Sequence, residues 1–362
     1  MKIAQVAPLI ESVPPQLYGG TERIVSFLTE ELVAQGHDVT LFASADSRTS
    51  ARLVPCAARA LRLDPAVQDP LPHHLLMLDE LRRRAGEFDV IHVHVDMLHM
   101  PLMREIGVPS VTTLHGRQDL PDLQPFYAVF NDVPLVSISY DQRRPLPFAN
   151  WMGTVYHGLP RDILPPGDGR GGYLAFLGRI SPEKRPDRAI EIAVRTGLPL
   201  KMAAKVDIAD REYWQQVIEP LVRANPNVEF VGEVNEREKA DFLGQALAVL
   251  FPIDWPEPFG LVMIEAMACG TPVIAFRCGS VPEVVDPGVS GAIVDTVDQA
   301  VEALNGIGRF ERARVRQCFE RRFSAERMAR EYVAIYRRLA GIQATKLLPV
   351  RLAGGPRIGA LA

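Results

Sequence analysis

Short continuous apolar runs alternate along the chain with longer stretches whose apolar positions return every three or four residues. The first pattern has the length of a strand buried on both faces, and the second has the period of a helix with one apolar face. Residues 2–8 read as such a strand. A loop through Pro14-Pro15 follows and ends in Gly19-Gly20-Thr21-Glu22, a helix runs to about Ala34, and Gly36-His37-Asp38 leads into a strand at 39–43. Strand, glycine turn, helix and strand make the repeating unit of a doubly wound parallel sheet. Further strands are predicted at 90–94, 110–114 and 135–139, with helices between them.

The pattern stops at residues 160–172, where Pro160, Pro165, Pro166, Gly167, Gly169, Gly171 and Gly172 crowd together. Such a stretch reads as an interdomain linker. The alternation then restarts. Strands are predicted at 173–177, 200–204, 228–231, 247–252, 273–276 and 292–295, and helices at 186–195, 208–223 and 236–243. Residues 297–339 are mostly helical. The fold class is therefore α/β, with two Rossmann-like doubly wound domains. The divisions are a first domain at 1–165, a second at 166–322, a helical segment at 323–340 and a loose tail at 341–362. In open parallel sheets ligands bind beyond the strand C-termini, so two such sheets facing each other would enclose a cleft.

Composition agrees and narrows the options. A chain of 362 residues has room for two average domains. Its 47% hydrophobic and 23% charged content suits a globular enzyme, and a net charge of −4 gives no electrostatic reason to expect nucleic acid. No apolar run reaches the ~18–20 residues of a membrane helix, and the interrupted apolar start reads as a first strand rather than a signal peptide. The four cysteines, Cys56, Cys269, Cys278 and Cys318, form neither a metal-site spacing nor a disulfide framework. A reducing cytoplasmic setting fits.

The candidate chemistry is densest at Glu257-Pro-Phe-Gly-Leu-Val-Met-Ile-Glu265, followed by Gly270-Thr-Pro-Val-Ile-Ala275. Glu257 stands in a loop and Glu265 about two turns into the helix after it. Phe259, Gly260 and Leu261 mark that helix N-terminus, where free backbone N–H groups attract an anion. A phosphate there, with a carboxylate on either side for hydroxyls, describes a bound nucleotide-sugar. Arg179 and Lys184, in Gly178-Arg-Ile-Ser-Pro-Glu-Lys184, follow the first strand of the second domain. Fixed cations of this kind stabilise the charge that grows on a departing diphosphate. Gly19 and Gly20 follow the first strand of the first domain. They can let backbone N–H groups near a phosphate, and Thr21 can cap the helix after them. His115, in Thr112-Thr-Leu-His-Gly116, ends a predicted strand.

These strings closely resemble the Glu-x7-Glu, Gly-Arg-x4-Lys and glycine-loop motifs of the family-4 retaining glycosyltransferases, enzymes of the GT-B fold. The resemblance covers roughly residues 1–340 and is strongest at 173–295. It implies a nucleoside-diphosphate-sugar donor, with UDP and GDP both open, held as a substrate and not as a cofactor. It implies that Arg179 and Lys184 hold the diphosphate, Glu265 the ribose, and Glu257 and His115 the transferred sugar. It also implies that the segment after about Phe323 crosses back onto the first domain. The acceptor is a sugar, a lipid or a small metabolite. His157-Gly158 departs from the Asn-Gly usual in relatives, and a structural role is favoured for His157. Glu283 is read as mainly architectural. The Arg-rich stretch 309–338 reads as a solvated helix face, so contact with a membrane surface is not favoured. No Asp-x-Asp occurs, and His92 and His94 share one strand face, so no metal site is expected. The alternatives are a GT-B epimerase or phosphorylase, or a sugar-nucleotide-binding regulator without activity.

Overall fold

The computed structural model describes residues 1–16 and 19–341. The predicted tail at 341–362 lies outside them apart from Gly341. Two parallel sheets organise the chain. The first contains β1 (Lys2–Val6), β2 (Asp38–Ser44), β3 (Arg52–Ala57), β4 (Val90–Val93), β5 (Ser110–Thr113), β6 (Leu135–Ser137) and β7 (Trp151–Thr154). Their order is β3-β2-β1-β4-β5-β6-β7. The second contains β8 (Leu174–Arg179), β9 (Leu200–Lys205), β10 (Val228–Gly232), β11 (Ala248–Phe251), β12 (Val273–Phe276) and β13 (Gly291–Val294), in the order β10-β9-β8-β11-β12-β13.

In each sheet the strand order reverses at one point, between β1 and β4 in the first and between β8 and β11 in the second. A crevice opens at such a reversal because successive helices leave to opposite faces. The first crevice is bordered by the loop that ends in Gly19-Gly20 and by the residues after β4. The second is bordered by the Arg179–Lys184 loop and by the Glu257 loop.

Two strands fall outside the sequence reading, β3 and β7, and both are sheet edges. β3 contains Pro55, which an edge tolerates because one side of its backbone needs no partner. β7 contains Gly153 and has no fully buried residue. The helix predicted at 208–223 is broken. A 3₁₀ turn (Ile208–Asp210), one α turn (Arg211–Tyr213), a π turn (Trp214–Ile218) and a last helix (Glu219–Ala224) replace it. Pro220 lacks an N–H and crowds the preceding turn, and a π turn there absorbs the misfit.

The chain crosses between the domains twice, side by side. Leu159 donates to the Phe323 carbonyl and Ala325 donates to the Leu159 carbonyl, each at 2.9 Å. The helix Ala325–Leu339 then lies on the first sheet, with Tyr332 and Tyr336 fully buried. The linker is not a free tether. Gly167, Gly169 and Gly171 donate to carbonyls of Cys269, Gly244 and Gln245 at 2.9–3.0 Å. The Arg312 guanidinium binds the carbonyls of Gly167, Ala246 and Gly244 at 2.8–3.0 Å. These bonds fasten the linker to the second domain.

Candidate active site

Arg179 ends β8, and the loop after it turns through Arg185, a non-glycine residue held at φ 51°. That left-handed conformation is costly for a residue with a side chain. Ion pairs from Arg185 to Asp187 at 2.8 Å and to Asp254 at 2.9 Å hold it. Arg179 pairs with Glu183 at 2.5 Å and with Asp210 at 3.4 Å. Lys184 pairs with Glu257 and lies 5.0 Å from the Trp255 ring centroid. The Trp255 indole N–H donates to the same Glu257 oxygen at 3.0 Å. Both cations are therefore matched by carboxylates.

Glu257 owes its position to the Gly279-Ser280 pair. Gly279 has φ 54°, and a Cβ there would meet the Glu257 backbone at 2.4 Å. Ser280 N–H donates to the Glu257 carbonyl at 3.0 Å and the Ser280 hydroxyl to the Phe259 carbonyl at 2.8 Å. Gly260 caps the helix Leu261–Ala268 with φ 77°, and a Cβ there would strike Phe251. Gly20 lies against this helix start, its Cβ position 3.7 Å from Leu261 Cδ1. The two predicted phosphate elements, one from each domain, therefore meet. Gly19 instead backs onto the buried Glu11 and Glu22, whose burial pushes their carboxyls up. Thr21 does not cap the first helix. That helix, Gly20–Ala34, starts one residue earlier, its N-cap is Gly19, and no side chain bonds the cap.

Glu265 is a buried member of a charged quartet whose outer member, Glu236, is exposed. The Glu265 Oε1 accepts from Arg23 of the first domain and from Lys239 of the second, the latter at 3.1 Å. Glu236 pairs with both cations at 2.7 Å. Burial alone would raise the Glu265 carboxyl, but Lys239 and Arg23 outweigh it and hold it at about 2. The sequence reading missed Arg23 and Lys239. Arg23 lies in the first turn after Gly20, the available signal, while Lys239 carried none.

His115 is half-buried beside three other imidazoles. Its Nε2 lies 2.9 Å from His94 Nδ1, and its ring stacks on His157 at 5.3 Å between centroids. His157, 4% exposed, meets Phe259 of the second domain edge-on at 4.8 Å. Burial pushes His115 down to about 3 and His94 and His157 well below the ordinary value of 6.5. Glu283 joins the domains. Its carboxylate accepts from the backbone N–H groups of Tyr140 and Asp141 at 2.7 Å and from the Tyr156 hydroxyl at 3.0 Å. Among the described residues no group of three or more His, Cys, Asp or Glu is arranged to hold a metal ion. No helix among them is long and apolar enough to cross a membrane.

Solved structures share this fold. Sucrose-phosphate synthase from Thermosynechococcus elongatus has a TM-score of 0.78 at 19% identity, over 95% of this chain and all of its own. Anabaena HepE, solved with UDP-glucose, has a TM-score of 0.69 at 16% identity, covering 94% of this chain and 98% of its own. The fold is GT-B, the two-domain architecture of glycosyltransferases. Two family models match in tandem: Glycosyltransferase Family 4 over residues 18–159 and Glycosyl transferases group 1 over residues 167–317. The chain belongs to the family-4 glycosyltransferases. A curated relative, the D-inositol 3-phosphate glycosyltransferase of Acidothermus cellulolyticus, is 27% identical over 351 residues, covering 80% of this chain and 78% of that protein.

Proposed function

We propose that this glycosyltransferase is a retaining enzyme that moves a sugar from a nucleoside diphosphate to a hydroxylated acceptor, in the cytoplasm and without a metal ion. One observation carries the reading. The Leu261 helix start lies against Gly20 of the first domain, Glu265 of that helix pairs with Arg23 just after Gly20, and Lys184 pairs with Glu257 in the loop before the helix.

The ion pairs give a sequence of events. In the free protein Lys184 is held by Glu257 and Arg179 by Glu183. A diphosphate entering at the Leu261 helix start competes for both cations. As Lys184 turns to phosphate, Glu257 is released to accept hydrogen bonds from the sugar hydroxyls. When the glycosidic bond breaks, charge grows on the leaving phosphate, where the two cations stabilise it without a divalent ion. Glu257, once released from Lys184, still accepts from the Trp255 indole N–H and from the sugar hydroxyls, and is poorly suited to be a nucleophile. This favours attack by the acceptor on the same face as the departing phosphate, whose oxygen takes the acceptor's proton. UDP-glucose, the ligand of Anabaena HepE, is the first donor to try, and a polyol phosphate the first acceptor, after the relatives named for D-inositol 3-phosphate.

Calorimetry with UDP and GDP in EDTA tests the exchange. Arg179→Ala and Lys184→Ala should each weaken binding at least about tenfold, the loss of one charged hydrogen bond. Glu257→Gln should bind the nucleotide as well as the parent or more tightly, because Lys184 is freed, while turnover falls. Binding that vanishes in EDTA and returns with a divalent ion would overturn the reading.

A further inference from the structure

A buried chain of hydrogen bonds runs from the crossing helix to His115. The Tyr336 hydroxyl lies 2.7 Å from His92 Nδ1, and the Gln5 side-chain nitrogen lies 3.1 Å from the same hydroxyl. Gln5 Oε1 lies 2.8 Å from His94 Nε2, and His94 Nδ1 lies 2.9 Å from His115 Nε2. On the far side, His92 Nε2 meets the Thr113 hydroxyl at 2.7 Å.

The chain has a direction. A neutral imidazole carries one N–H and one lone pair, so each ring must donate from one nitrogen and accept at the other. A phenol is the stronger acid and an imidazole nitrogen the stronger base, so Tyr336 donates to His92 Nδ1. His92 then donates from Nε2 to Thr113. The Tyr336 oxygen is left to accept, which turns the Gln5 amide N–H toward it and the Gln5 carbonyl toward His94. His94 must donate from Nε2 and accept at Nδ1, and His115 supplies that hydrogen from its Nε2.

We propose that Gln5 and His94 are positioning residues that hold His115 as the Nε2–H tautomer, leaving its Nδ1 as a lone pair to accept a substrate hydroxyl. His115 is the one ring of the four that is not fully buried, so it is the end of the chain that a ligand can reach. Burial keeps all four imidazoles neutral above mildly acidic pH, and neighbouring rings reinforce it at His92, His94 and His157. The assignment of the hydroxyl to the sugar or its acceptor rests on the proposed function; the tautomer does not.

Long-range ¹H–¹⁵N NMR of the ¹⁵N-histidine-labelled, ligand-free protein at neutral pH reads the tautomer directly. The expected result is Nε2–H for His94 and His115. Nδ1–H at His115 overturns the proposal without touching the glycosyltransferase reading. Gln5→Leu, checked for an unchanged thermal transition, removes the acceptor that orients His94. It should give mixed tautomers at His115 and a kcat at least about tenfold lower, with the donor KM little changed. An unchanged His115 spectrum in Gln5→Leu, or a loss confined to KM, equally overturns it.

Discussion

Glu265 is a full negative charge where water hardly reaches, and its side chain is 3% exposed. Arg23 and Lys239 make that charge tolerable, so the three groups act as a unit. Glu265→Ala leaves two buried cations with only the exposed Glu236 between them. Removing one partner of a buried ion pair costs about 3–5 kcal/mol. The variant should lose stability on that scale in urea melts and also bind nucleotide more weakly; a melt unchanged from the parent contradicts the quartet's role. The position of Glu265 was legible because its spacing from Glu257 is local, eight residues along one loop and helix. Its partners were not, because Arg23 is 242 positions away and nothing along the chain announces the contact. His157 shows the same limit. Its sequence favoured structure, but only the fold brings it between His115 and Phe259.

At the scale of elements, the glycine- and proline-rich stretch 160–172 resembles a flexible tether in sequence, yet Arg312 and three backbone N–H groups bind it to the second domain. The two stretches of chain that cross between the domains are thereby the paired segments at Leu159 and Phe323. Glu283 acts as a bolt across the same boundary, accepting two N–H groups at the start of the short helix Tyr140–Arg143. Glu283→Gln removes the charge from these bonds, which are worth about 1.5–3 kcal/mol each when charged. The free variant should sample more open domains, with a larger radius of gyration in X-ray scattering and a higher donor KM. Identical scattering and KM would show that the bolt does not hold the domains together. Buried strands such as β11 and β12 were legible because burial on both faces makes an unbroken apolar run. Edge strands β3 and β7 were not, because half their surface answers to solvent.

Across the whole molecule, the buried His92, His94, His99 and His157 and the half-buried His115 are all shifted below the ordinary 6.5 by burial. The unfolded chain therefore binds more protons as pH falls from about 6.5 toward 3, and stability must fall with it, by up to about 1.4 kcal/mol per pH unit for each imidazole. Glu265, held at about 2 against 4.5 unfolded, adds a loss of the same sign below 4.5. The raised carboxyls of Glu11 and Glu22 oppose this. Thermal transitions should drop steeply between pH 7 and 5, and a flat profile would contradict neutral burial of the histidine array. The two-domain plan was legible because the apolar pattern stops and restarts around 160–172, whereas the return of the last helix onto the first sheet rested on resemblance alone. The central claim, same-face transfer from a nucleoside-diphosphate sugar held between the domains, is tested most directly by time-resolved ¹H NMR of the sugar released from an α-linked donor, with water as acceptor and EDTA present. The α-anomer should appear first and then equilibrate. Release of the β-anomer first would contradict the account.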